Sequence, residues 1–173
     1  MSTFLADAQW RGRRADMVLR AATEADVSDL VRLNASVQEM HARHVPTHIK
    51  MPSADPGCAE FFRKILADPT ACLIVAVEES SIAGNFFAKE VKQEESWIRP
   101  ALRTFMLEHI AVDPALRRKG IGHALISRFF DEARSRGIGR LGLCCWAFNE
   151  DGRRFFRRHG FTEVHTRWER VIE

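Results

Sequence analysis

Apolar residues return along this chain at two spacings, and the spacing changes element by element. After the capping residues Thr23-Glu-Ala-Asp26, Val27, Leu30, Val31, Asn34 and Val37 recur every three or four positions, which predicts a helix to about residue 40. A second helix is expected at 58–67, stopped by Asp68-Pro69 because the residue before a proline leaves helical backbone. Residues 17–21 read as a short strand. Residues 71–78 and 82–91 flank Glu79-Ser-Ser81 and predict an antiparallel hairpin; 104–112 is a further strand, ended by Asp113-Pro114. After Gly120, Ile121, Leu125, Ile126, Phe129, Phe130 and Ala133 share one helical face, and Gly137 closes that helix. A strand at 140–147, a helix at 150–159 and a last strand at 161–171 complete the pattern. Residues 44–57, with Pro46, Pro52 and Pro56, read as loop, as does the polar stretch 92–103.

The predicted order is β-α-α-β-β-β-α-β-α-β, an α/β chain. The strand–helix–strand unit over 104–147 needs its strands parallel and joined by a right-handed crossover, so the sheet is mixed, with helices on both faces. No repeat or linker divides it. The reading is one domain over 17–173 preceded by a flexible, Arg-dotted leader at 1–16.

Composition narrows the class. A chain of 173 residues, 46% hydrophobic and 28% charged, is long enough for a full core without staples. The longest apolar run, 71–77, is too short to span a bilayer, and no membrane partner is expected. The four cysteines (Cys58, Cys72, Cys144, Cys145) lack CxxC spacing, and the first ten residues lack a basic n-region, so a cytoplasmic protein is expected. Charge is uneven. From Arg117 onward there are 13 Lys and Arg against 7 Asp and Glu, whereas the residues before it are net acidic. An anion is expected near the basic part.

The stretch Val112-Asp-Pro-Ala-Leu-Arg117-Arg-Lys-Gly120-Ile-Gly122-His123 sharpens that expectation. A strand ends, a turn carries three cations, and two glycines open a helix whose first amides and positive dipole end suit a pyrophosphate. Gly120 and Gly122 have no side chains to hold phosphates away. Position 125 is Leu, which excludes a dinucleotide fingerprint, and no Gly-Lys-Ser/Thr follows, which excludes a Walker A loop.

Arg117-x-x-Gly120-x-Gly122 resembles the acetyl-CoA signature of the GNAT superfamily of N-acetyltransferases. Asn149-Glu-Asp-Gly-Arg-Arg-Phe155-Phe156-Arg-Arg-His-Gly160-Phe161 resembles its second conserved stretch, and Val18 to Asp26 its opening strand and helix. The resemblance implies acetyl-CoA as cosubstrate, an amine acceptor, and no metal. Pantetheine would lie where the strands 104–112 and 140–147 part, paired with the backbone of Ile110, Ala111 and Val112. The pyrophosphate would sit on the turn Arg117, Arg118, Lys119, Gly120, Ile121, Gly122 and His123. Asn149 and Phe156 would line the pantetheine arm, with Arg153, Arg154 and Arg157 offered to the 3′-phosphate. The resemblance alone admits a homodimer.

The implied reaction is direct attack of an amine on a thioester. An alkyl ammonium titrates near about 10.4, so its proton needs an acceptor. Strict alternation places Glu108 on the face of Ile110 and Val112, with His109 opposite, which makes Glu108 the preferred base. The oxyanion donor would be a backbone N–H near Ile110. Family members commonly carry Tyr where this chain has Phe156, and the chain has no tyrosine at all. Water, or Cys144 or Cys145, would then return the proton to the thiolate, or no acid is needed because a thiolate leaves well unaided; the harsher alternative is a non-catalytic acyl-CoA-binding domain. Nucleic-acid binding is the rival class, but the cations cluster at one turn rather than along a groove, and no nucleic-acid partner is expected. His41-x-x-His44-x-x-x-His48 has a broken metal spacing because Pro46 interrupts it. Loops 41–56 and 92–103 are expected to choose the acceptor, and Glu78, Glu79, Glu90, Glu94 and Glu95 to favour a cation.

Overall fold

Two tight features start the chain on its course. The Asp26 carboxylate accepts from both Arg20 guanidinium nitrogens at 2.7 and 2.8 Å and from Thr23 N at 2.7 Å, which fixes strand β1 (Val18–Ala21) against the start of helix α1 (Val27–His44). Between β2 (Ala71–Glu78) and β3 (Ser81–Gln93), Glu79 and Ser80 both take positive φ, 49° and 68°, the turn whose twist matches an antiparallel hairpin. The computed structural model describes residues 17–52 and 57–172, so the expected leader at 1–16 lies outside them.

Helix α2 (Gly57–Ala67) precedes the hairpin; β4 (Leu102–Val112), α3 (Ile121–Ser135), β5 (Leu141–Leu143) and α4 (Glu150–Arg158) follow it. The strands lie in the order β1-β2-β3-β4-β5, antiparallel through β4, with β5 parallel to β4. The alternation of β2 and β3 builds two cores. Cys72, Ile74, Phe86 and Ala88 face α3 with Phe105, Leu107 and Phe129, and the Phe105 and Phe129 rings stack at 5.2 Å. Leu73, Val75 and Phe87 face α1 and α2 with Leu30, Leu33 and Phe62.

Two expected strands are corrected. The strand at 140–147 shrinks to Leu141–Leu143, because β4 bends away from it after Leu107. The segment 161–171 is no strand. Gly160, at φ 83°, and Phe161 return their amides to the Arg157 and Phe156 carbonyls, which caps α4 and turns the chain. Side-chain ties then replace a ladder: Arg153 and Arg157 hold Glu163, and His48 holds Glu169 at 2.6 Å. The described sheet therefore has five strands rather than six.

Candidate active site

β4 assembles the site, and a single extra residue decides how. Phe87 pairs with His109 but Ala88 with Leu107, so Glu108 is a bulge. Leu107 and Ile110 both pack toward α3, with Glu108 and His109 between them. This overturns the alternation expected for β4: Glu108 does not share the face of Ile110 and Val112. It meets Lys89, on the Phe87 side of β3, at 3.4 Å. The same bulge ends the pairing with β5, which runs Phe105–Leu141, Met106–Gly142 and Leu107–Leu143 and no further. From Glu108 to Val112, β4 has β3 on one edge and, among the described residues, no strand on the other.

A cleft of about 40 Å³ opens at that parting, lined by Leu107, Glu108, His109, Ile110, Leu143, Cys144 and Phe156. The structure thus brings Glu108, Ile110 and Phe156 together from β4 and α4. It also separates the two thiols. Cys144 is at the cleft, whereas Cys145 lies against the Trp146 and Asn149 carbonyls at 3.8 and 3.9 Å, and burial pushes its thiol up. His109 is the other wall. Its Nε2 is sealed from solvent without a hydrogen-bond partner, and burial, then the charge of His41, pushes the imidazole down to about 4.

The α1 side of this wall is aromatic. His44 stacks on Phe148 at 4.3 Å, His41 meets Phe148 edge-on at 5.8 Å, and His48 meets Trp146 at 5.5 Å. The three histidines are spent on rings and on Glu169, and among the described residues no metal-holding group of three His, Cys, Asp or Glu side chains occurs. Asn34, Gln38 and His41 share one face of α1, and a hollow of about 450 Å³ lined by Asn34, Gln38, Lys50, Met51, Cys58 and Phe61 opens beside it. The acidic residues do not form one patch. Glu79 sits in the hairpin turn and Glu90 is roughly 30 Å along β3, paired with Arg103 at 2.7 Å.

At the far end of β4 the chain makes the cationic turn. Asp113 accepts from Ala115 N at 3.0 Å and from Arg32 of α1 at 2.7 Å, and Arg117 reaches back to the Val112 carbonyl at 3.4 Å. Arg118 and Gly120 both take left-handed backbone, φ 61° and 86°, an alternation that gathers successive amides into a concavity for an anion. The first bond of α3 runs from Ala124 N to Gly120 O at 3.0 Å, so the amides of Ile121 and Gly122 precede it. A Cβ at Gly122 would stand 3.4 Å from the Phe155 ring, in contact with it, so a larger side chain has to press on that ring. Arg117, Arg118 and Lys119 are exposed here, and Ile121 is core. His159 donates through Nδ1 to the Phe155 carbonyl at 2.8 Å, and its Nε2 lies 2.9 Å from His123 Nδ1. Burial, then the charge of His159, pushes His123 down.

Four candidates are otherwise engaged. Asn149 caps α4 through Oδ1, accepting from Gly152 N at 2.9 Å. Arg153 and Arg157 share Glu163, and Arg154 pairs with Asp151, which leaves this face of α4 largely neutralised. The bulge and the Lys89 partner of Glu108 escaped sequence reasoning, because no residue in Leu107-Glu-His-Ile110 marks an extra position.

The model of the acetyltransferase (GNAT) family matches residues 36–161, from the middle of α1 to the Gly-Phe pair after α4. The chain belongs to the GNAT acetyltransferase family. A 61-residue stretch is 38% identical to the [ribosomal protein bS18]-alanine N-acetyltransferase of Escherichia coli strain K12, covering 35% of this chain and 41% of that protein. The chain spans less than half the length of the curated relatives it matches. The fold is also that of a tetramutant of the Bacillus halodurans protein BH1408, at TM-score 0.83 and 20% identity over 90% of this chain and 99% of that one. A predicted acetyltransferase of Clostridium acetobutylicum, solved with acetyl-CoA, aligns at TM-score 0.66 and 21% identity over 90% of this chain and 96% of that one. The GNAT match contains both the bulged strand and the glycine turn.

Proposed function

We propose that this chain is an acetyl-CoA-dependent N-acetyltransferase in which a primary amine attacks the thioester directly. The observation that carries the reading is the edge of β4 from Glu108 to Val112, free of β5 and running straight into the left-handed turn at Arg118 and Gly120. An extended pantetheine arm fits such an edge as an added strand would, and a pyrophosphate fits the amides of residues 118–123. Arg117, Arg118 and Lys119 add charge to that end. The family match and the acetyl-CoA held by the Clostridium relative support the same cosubstrate.

Acetyl-CoA, when bound, supplies an activated acetyl carbonyl. The chain's own residues do the rest. Glu108, exposed by 38% at the cleft, collects the proton that the acceptor ammonium must lose and passes it to water. As the amine nitrogen bonds to the carbonyl carbon, a backbone N–H near Ile110 holds the developing oxyanion; the C–S bond then breaks. Phe156 walls the cleft without a donor, so water or the Cys144 thiol returns a proton to the departing thiolate. A thiol of pKa roughly 8.5–10 leaves readily enough for that to suffice. His109, held down to about 4, is neutral at physiological pH and serves as wall rather than base. The acceptor approaches across the α1 side, past His41, Phe148 and the hollow between α1 and α2.

The test is thiol release from acetyl-CoA across a panel of polyamine, amino-sugar and peptide amines, with mass spectrometry of the product. Turnover with an N-acetylated product is expected for at least one of them. A chain that binds CoA but acetylates none of the panel overturns the reading.

A further inference from the structure

The hollow between α1 and α2 has a chemistry of its own. Asn34, Gln38 and His41 follow one another along one face of α1. His41 backs onto the cleft wall: its charge acts on His109, and its ring meets Phe148 at 5.8 Å. One turn away, Gln38 donates through Nε2 to the Lys50 carbonyl at 2.9 Å, which ties the segment after α1 to the helix. That segment is closed into a turn by the His48 and Ile49 amides, both donating to the Val45 carbonyl at 2.9 and 3.0 Å. On the α2 side, Asn34 Nδ2 meets Cys58 Sγ at 3.3 Å, and the Phe61 and Phe87 rings meet at 6.4 Å. Phe87 is the register partner of His109, so it joins the hollow to the wall of the cleft.

Lys50 is the one charged side chain among the described residues that line this hollow. Among the described residues no carboxylate pairs with it, and the neighbouring Glu39 and Glu60 are taken by Arg43 and Lys64 of their own helices. Met51 and Phe61 beside it are 53% and 49% exposed, an apolar floor open to a ligand. The glutamates expected to favour a cationic acceptor lie outside the described lining. A lone cation over apolar groups repels the second ammonium of a polyamine and suits an anion on an apolar spacer. We propose that, given the acetyl transfer argued above, the acceptor is an amine that also carries a carboxylate. Lys50 holds the carboxylate, and the apolar part between the two groups lies on Met51 and Phe61. Gln38 stands one helical turn from His41, so amine and carboxylate are about 5 to 10 Å apart. That is the length of roughly two to three extended residues, the shape of a short apolar peptide with a free carboxyl end.

The test is kcat/KM of the full chain with acetyl-CoA and three acceptors: the tripeptide Ala-Ala-Leu as free acid, its C-terminal amide, and spermidine. Wild type should prefer the acid to the amide by about fivefold, the upper end for an exposed ion pair. The preference should shrink as salt rises. Lys50→Arg should keep it, Lys50→Met should abolish it, and Lys50→Glu should reverse it. Calorimetry on the CoA-saturated chain reads the binding of acid and amide without turnover. Acid binding that depends on Lys50, in a chain that turns over no amine, supports the Lys50 site and overturns acetyl transfer alone. Equal use of acid and amide by the wild type overturns the Lys50 site and leaves acetyl transfer standing. So does faster turnover of spermidine than of the acid, or a preference that survives Lys50→Glu.

Discussion

His109→Leu isolates the energetic cost of an imidazole walled into the acceptor side of the cleft. In the folded chain this ring titrates at about 4, against an ordinary value of 6.5, chiefly through burial and secondarily through the charge of His41. The unfolded chain therefore binds one more proton than the folded chain between those two pH values. Stability from this group is complete above 6.5 and is lost as pH falls toward 4. At 1.36 kcal/mol per pH unit, a gap of about 2.5 units amounts to about 3 kcal/mol across that window. His41 and His123 are pushed down as well, so they add slope in the same direction. Urea unfolding at half-unit steps through the window measures the slope for wild type and variant. His109→Leu should remove about one proton of uptake and leave the part due to the other two rings. At neutral pH the variant should be no less stable, because it removes a buried nitrogen that has no partner. An unchanged slope in a folded variant would refute the burial argument.

Glu108→Gln should lower turnover about 10²–10⁴-fold while CoA affinity stays constant, read from steady-state rates and calorimetry. Phe156→Tyr should leave CoA affinity unchanged and raise turnover at most about tenfold across the pH profile, since a thiolate needs little help to leave. Asp26, held to about 2 chiefly by the Arg20 guanidinium, contributes about 2 kcal/mol that is present above its ordinary 3.8 and lost as pH falls toward 2. Asp26→Asn should cost about that much at neutral pH and flatten the acid limb, as measured by thermal unfolding.

Much of this architecture was legible because it rests on local chemistry. The repeat of Val27 and Leu30 locates α1, the proline at 69 stops α2, and Gly120 marks a left-handed residue before a helix. The glycine turn was readable for the same reason, since a bare backbone after three cations has few other uses. The bulge was not. An extra residue in a strand is set by how two strands register, and neither Phe87 nor Glu108 carries a mark of it. Three consequences were therefore hidden: the face that Glu108 takes, its Lys89 partner, and the early end of β5. The same parting of strands decides that Cys144, not Cys145, borders the cleft. The segment 161–171 misled for the opposite reason. Its alternation is real, but a strand exists only with a neighbour, and β5 offers three residues.

The central claim is that the turn at the start of α3 holds acetyl-CoA, and calorimetric titration of Gly122→Val against wild type tests it most directly. A Cβ at this position already reaches 3.4 Å from the Phe155 ring, so valine's methyl groups must crowd either that ring or the phosphate surface. The account predicts measurable CoA binding by the wild type and at least tenfold weaker binding by the folded variant, about 1.4 kcal/mol. Equal affinity in the two proteins, or no binding by the wild type, would contradict it.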